Sequence, residues 1–433
     1  MQDSNKQDLN KKVELLSPAG NLQKLKIALN YGADAVYAGV SHFSLRTRSS
    51  KEFTYESFKE GIDYTHSRNK KLYATINGFP FNSQINLLKN HIAKLRDLGP
   101  DAFIVASVGV LKLCKDIAPK IPIHLSTQAN VLNAIDAEVF FDMGVKRIVA
   151  AREISLKDLV EIKATLPSLE LEIFVHGSMC FAFSGRCLIS SLQSGRVANK
   201  GSCANDCRFD YEYYVVNKNN GVMMRIEEEE GVGSYIFNSK DLNLINHLDS
   251  ILSSNAISAF KIEGRTKSAY YAAITTRTYK MALSDYYQNK SQNEIYNYEL
   301  NTLKNRGFSD GYIVHRPYEK LDTQNYETTI SNGTHQVNAL ILENGENAIC
   351  KHRIKINEIK EIISPLNSKI NLVENEIGKI FIKENKYFII FYKIILESGK
   401  ILEEIHSGNI NPFKLPSKLP PFSFLREKLQ NES

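Results

Sequence analysis

The sequence predicts an α/β chain: a (β/α)8 TIM-like barrel followed by a small C-terminal all-β barrel domain. Three observations carry this expectation. The first two-thirds alternates short β-branched runs with stretches of helical period. Polar and glycine-rich residues follow directly after most of those runs. From about Asn332 the texture changes to Val/Ile/Lys alternation broken by turn residues.

Eight runs read as barrel strands: Val13–Ser17, Ala35–Ala38, Leu72–Ile76, Ala102–Ala106, Ile121–Ser126, Arg147–Ala150, Leu171–Val175 and Ala259–Ile262. Helix-length segments lie between most of them. Asn21 to Tyr31 carries Leu22, Leu25, Ile27, Ala28 and Leu29 and stops at Gly32. Ser155 to Leu166 opens on an N-capping residue and places Leu156, Leu159, Val160 and Ile162 on one face. An open doubly wound sheet is the rival, but no GxGxxG follows the first strand.

The expected domains follow from these runs. Residues 1–12 form a polar, disordered N-terminus, and residues 13–290 form the barrel. Residues 176–258 are a cysteine-rich insertion between the seventh and eighth strands, with Tyr211–Asn217 and Ser234–Phe237 as hairpin strands around the acidic run Glu227 to Glu230. Residues 291–331 are a connector, 332–412 the β domain, and 413–433 an irregular tail.

Of the 433 residues, 43% are hydrophobic and 24% charged, an ordinary globular balance. No apolar run reaches the roughly 18–20 residues that span a bilayer, and the N-terminus lacks the apolar core of a signal peptide. A cytoplasmic protein without a membrane partner is expected. The net charge of +6 is compatible with an RNA partner without requiring one.

Four of the six cysteines fall within 28 residues as Cys180-x6-Cys187-x15-Cys203-x3-Cys207. Such clustering points to metal or redox chemistry rather than structural disulfides. Four thiolates suit a [4Fe-4S] cluster or a structural zinc, and the spacing alone leaves both open. Basic and glycine-rich residues among the cysteines, such as Arg186, Arg196, Lys200 and Arg208, favour an anionic cluster. Cys114 and Cys350 read as buried apolar residues.

The run from Glu172 to Ser190, containing His176-Gly177-Ser178-Met179-Cys180 and Ser184-Gly185-Arg186-Cys187, resembles the signature of peptidase family U32. Ser17-Pro18-Ala19-Gly20, His124-Leu125-Ser126-Thr127-Gln128, Lys261-Ile262-Glu263-Gly264-Arg265 and Asn305-Arg306-Gly307-Phe308 agree with it. The resemblance spans roughly Val13 to Gly311. It implies either a collagenase-like protease, a hydrolase, or an iron–sulfur RNA hydroxylase, and length and cysteine spacing are most similar to the prephenate-dependent tRNA uridine 5-hydroxylase branch. The branch acting on a ribosomal cytidine is longer. In the hydroxylase reading Cys180, Cys187, Cys203 and Cys207 hold a [4Fe-4S] cluster, with zinc in a non-catalytic RNA-binding module as the alternative. Prephenate is then the cosubstrate and tRNA the partner, with an electron donor or cluster-assembly proteins as further partners.

No HExxH is present, and a Cys180 that ligates a cluster cannot also attack a peptide. His176, Arg152 and Glu263 are the expected catalytic residues. The carboxylates of prephenate call for arginines, so Arg46, Arg152 and Arg265 are expected around it. Asn77 and Gln128 are expected to offer amides to the base. Lys351, Arg353, Lys355 and Lys360, with Lys414 and Lys418, form a candidate RNA-facing stripe.

Overall fold

The computed structural model describes residues 12–429 apart from 41–42, 45–52, 181, 183–186, 188, 195, 197–202, 209–212, 220, 227–238, 315–330 and 332. The barrel strands are β1 (Glu14–Pro18), β2 (Ala35–Ala38), β3 (Lys71–Ile76), β4 (Ala102–Val105), β5 (Ile123–Leu125), β6 (Arg147–Val149) and β7 (Glu170–Ser178). An insertion with hairpin β8 (Tyr213–Val216) and β9 (Met223–Ile226) follows, then β10 (Asp241–Asn243) and the eighth barrel strand, β11 (Ala259–Ile262). All eight barrel strands pair in parallel, in the order β11-β1-β2-β3-β4-β5-β6-β7, and β7 pairs back onto β11 to close the ring.

Helices cover the outside: α1 (Leu22–Asn30), α2 (Tyr55–His66), α3 (Ile85–Leu98), α4 (Val108–Ile117), α5 (Ala134–Asp142) and α6 (Leu156–Thr165). The insertion adds α7 (Ile189–Ser194) and α8 (Leu248–Ser253), and α9 (Ala269–Tyr287) follows β11. The starts are chemically marked. Asn21 caps α1, and Ser155 caps α6 in a reciprocal box with Asp158.

Strand alternation divides the barrel residues between two cores. Leu16, Ala35, Tyr37, Tyr73, Ala102 and Ile104 form a small cluster of their own, separate from the larger cluster that includes the helix-facing residues. With them lie buried charges that apolar patterning does not announce. Arg147 meets Glu14 at 2.7 Å, Glu170 at 2.7 Å and Glu172 at 3.1 Å, while Lys261 meets Glu172 at 2.8 Å. Most of these residues lie at the N-terminal ends of their strands, so this network is the barrel floor.

Residues 291–331 do more than connect. They contain α10 (Ile295–Asn301) and β12 (Phe308–Ser309), and β12 pairs in parallel with β10, which itself runs antiparallel to β7. Arg306, buried, bonds Asp241 across that pairing. The hairpin in the insertion also differs from expectation. The partner of Tyr213–Val216 is Met223–Ile226, while Ser234–Phe237 and Glu227 to Glu230 lie outside the described residues, as does the N-terminus to residue 11.

The C-terminal domain is an eight-stranded antiparallel sheet curled around a second apolar core. The expected irregular tail is wrong in its main feature. Phe424–Lys428 is a central strand between His335–Ile341 and Ile359–Ile363, and Phe413–Lys414 forms an edge. Its middle residue, Arg426, is fully buried and bonds Glu299 of α10 at 2.8 Å and Glu361 at 2.8 Å. Tyr31 donates to the carbonyls of Ile363 and Phe422, both at 3.0 Å. These contacts fasten the sheet to the barrel helices.

Candidate active site at the barrel mouth

The C-terminal strand ends bring together much of the expected polar set. Ser126 accepts from the Gln128 N–H and shapes the short turn Thr127–Ala129. The Gln128 side-chain oxygen accepts from Asn77 at 3.0 Å and from Ser126 at 3.2 Å, so the two expected amides form one interlocked pair. Arg265, almost buried, donates from Nη1 to the hydroxyls of Ser44 at 2.6 Å and Thr75 at 2.8 Å. Arg46 lies outside the described residues.

Arg152 pairs across the barrel mouth rather than with its chain neighbour. Its partner is Glu263, at 3.7 Å from Nη2, and not its neighbour Glu153. Its Nη1 donates towards the Cys180 sulfur at 3.6 Å, and the guanidinium lies 4.4 Å from the centre of the Phe174 ring. The segments that follow β6, β7 and β11 therefore meet at one cation.

His176 does not join them. The β7–β11 register shifts between Lys261 and Ile262, so that Phe174 faces Lys261 but His176 faces Ile262. The extra residue re-aims the side chain, as bulges do. Its ring packs against Tyr271 and Tyr279 of α9 and Phe308 of β12, with 2% exposure. Burial there pushes its pKa down to about 4, against a weaker pull from Asp241. The next residue, Gly177, has φ +117°, and a Cβ would lie 2.6 Å from the Glu263 carbonyl oxygen. The two strand ends can approach this closely only with glycine there.

None of the four clustered cysteines is in a disulfide; Cys180 is exposed and Cys187, Cys203 and Cys207 are partly so. Their chain segments touch. Ala204 N–H donates to Ser190 of α7 at 2.7 Å, and Ser194 reaches Asp206 at 3.3 Å, which sets the Cys203–Cys207 turn against the helix following Cys187. The Asn205 N–H donates to the Cys203 sulfur at 3.4 Å. Four cysteine sulfurs with N–H and guanidinium donors beside them are, in kind, a donor set that fits an anionic cluster. Among the described residues, no three His, Cys, Asp or Glu side chains are gathered closely enough to hold one ion.

Several features went unread in the sequence. Ser44 and Thr75 hold Arg265, and Asp241 and Arg306 brace the end of β7. Gly307-Phe308-Ser309-Asp310-Gly311 has the G-x-S-x-G spacing of a hydrolase elbow. In place of a strand–turn–helix elbow, however, Ser309 is a buried strand residue whose hydroxyl accepts from the Gly311 N–H at 3.3 Å. The expected basic stripe is also thinner than it reads. Lys360 is 1% exposed and pairs with Glu358 and Glu427, and Arg353 pairs with Glu358 at 2.9 Å.

Residues 20–323 match the family model described as peptidase family U32. The chain belongs to peptidase family U32. This U32 chain is 67% identical over 418 residues to tRNA hydroxylation protein P of Helicobacter pylori, covering 96% of this chain and 99% of that protein. It is 36% identical over 353 residues to the protein of the same name from Escherichia coli, covering 73% and 77%. It is also 30% identical over 314 residues to a collagenase of Porphyromonas gingivalis, covering 70% and 73%. No helix among the described residues is long and apolar enough to cross a membrane.

Proposed function

We propose that this chain is an RNA hydroxylase that converts a wobble uridine of tRNA to 5-hydroxyuridine, with prephenate as cosubstrate and a [4Fe-4S] cluster on Cys180, Cys187, Cys203 and Cys207. The observation that carries the reading is the near end-to-end relationship to tRNA hydroxylation protein P of H. pylori. Four cysteines outside any disulfide, beside a barrel mouth that holds arginines and amides, support it. A bound cluster supplies one-electron redox chemistry.

The chain's own residues do the rest. Arg265, oriented by two hydroxyls, offers a fixed cation to a small dicarboxylate. Gln128 has its oxygen engaged by Asn77 and Ser126, which leaves its amide N–H groups for a base carbonyl. Glu263 holds Arg152. His176, buried outside the mouth, shapes the end of β7 rather than moving a proton. The exposed lysines Lys351, Lys355 and Lys414 remain available for RNA phosphates.

The test is genetic. Deleting the gene and analysing digested bulk tRNA by mass spectrometry should remove hydroxyuridine-derived nucleosides, and the wild-type gene should restore them. Unchanged tRNA removes this reading. Loss of a ribosomal hydroxycytidine instead would redirect it to ribosomal RNA. The relative named collagenase keeps a peptidase as the second reading; it requires homogeneous protein to cleave denatured collagen, in a manner abolished by Cys180→Ala.

A further inference from the structure

We infer that Arg152 is a positioning residue for the thiol centre, tying Cys180 to Glu263 at the barrel mouth and setting the electron affinity of the cluster those thiolates hold. This rests on the iron–sulfur part of the proposed function, and it replaces the expectation that Arg152 clamps a substrate carboxylate.

A guanidinium that receives a substrate carboxylate presents two parallel N–H groups to open space. Here both terminal nitrogens are engaged, Nη1 on the Cys180 sulfur at 3.6 Å and Nη2 on Glu263 at 3.7 Å. The flat face is occupied as well, lying 4.4 Å from the Phe174 ring centre. Only 9% of the side chain is exposed, although its partner Cys180 is exposed. Arginine can serve a sulfur, a carboxylate and a ring at once because its charge is spread over a rigid plane; a lysine supplies the charge without the fork.

The three attachments come from different elements. Arg152 follows β6, Cys180 follows β7 and Glu263 follows β11. The cation therefore pins the first cysteine of the insertion to the rim of the rigid barrel. Fixed charge and hydrogen bonds to sulfur tune the potential of a thiolate-bound cluster. A cation there favours the reduced, more negative cluster, and Glu263 opposes it. The pair thus sets the potential as a balance of two charges of opposite sign.

The experiment is a mediated redox titration of the full chain, purified without oxygen, in which the cluster takes one electron from the reductant and the change is followed by visible absorption and electron paramagnetic resonance. Arg152→Ala should shift the one-electron reduction equilibrium about tenfold against reduction, equivalent to about 59 mV downward. Glu263→Gln should shift it in the opposite direction. Arg152→Lys should stay within about threefold of wild type, because the charge is kept. Iron content should match wild type in the Glu263→Gln and Arg152→Lys proteins. Loss of iron in Arg152→Ala alone, rescued by Arg152→Lys, also supports the tether. Midpoints within twofold of wild type in both Arg152→Ala and Glu263→Gln, at full iron content, overturn this inference and leave the iron–sulfur reading intact. A wild-type protein without iron overturns both.

Discussion

Two arginines five residues apart, one opening β6 and the other just beyond its end, have opposite surroundings. Arg147, at the floor, is 4% exposed and meets three carboxylates within 3.1 Å. Arg152, at the mouth, meets one carboxylate at 3.7 Å and a sulfur at 3.6 Å. At the floor, charge is neutralised by neighbouring strands and serves the fold. At the mouth it is shared with the segment that carries the thiols, which belongs to the chemistry. Barrels commonly divide stability and function between their two ends in this way.

The largest expected effect tests the floor. Arg147→Ala removes the buried cation that Glu14, Glu170 and Glu172 share and should cost about 3–5 kcal/mol, read from urea unfolding. An unchanged midpoint would break the contrast. The acid limb belongs to the same network. Burial raises the pKa of Glu14, but Arg147, Lys71 and Tyr73 outweigh it and hold the carboxyl below its ordinary 4.5. The stability it contributes is therefore present above pH 4.5 and is lost as pH falls through its lower folded value. Arg147→Ala should remove that contribution.

Next comes His176, near the end of β7 but packed under α9. Its folded pKa of about 4 lies below the ordinary 6.5. Stability should therefore be intact above pH 6.5 and fall by roughly 3 kcal/mol as pH drops through 4. His176→Phe should remove that contribution while leaving pH 7 stability comparatively unaffected. An unaltered pH profile in the variant would place the acid sensitivity elsewhere. Gly177→Ala should cost about 1–3 kcal/mol, from a left-handed backbone and the clash with the Glu263 carbonyl. The smallest stability effect is expected for Arg152→Ala, about 1 kcal/mol, because its one carboxylate pair is loose at 3.7 Å. Its tRNA should nevertheless lose hydroxylated nucleoside. A large unfolding effect with normal tRNA would make the mouth arginine structural like its neighbour.

Much of the barrel was legible in the sequence because its physics is local. Ala35–Ala38 and Ala259–Ile262 are strands residue for residue, and Asn21 and Ser155 cap the helices their side chains suit. What was not legible depends on partners far away in the chain. Arg426 falls in the stretch that reads as an irregular tail, yet Glu299 and Glu361 pair with it where it lies buried inside a sheet. Lys360 reads as part of a basic surface until Glu427 covers it. His176 follows apolar alternation into the mouth on paper; a single register shift sends it under α9 instead. The Arg152–Glu263 pair joins two loops that only barrel closure brings together. The thiols were legible by spacing as a group, and Arg152 as a site residue, but the contact of Arg152 with the first thiol was not.

The most direct test of the account is the metal and acid-labile sulfide content of the chain purified without oxygen, compared with Cys203→Ser. The account predicts about four irons and four sulfides per chain and a brown protein, with the cluster lost in the variant. A colourless protein carrying one zinc, or no metal and no dependence on Cys203, would contradict it.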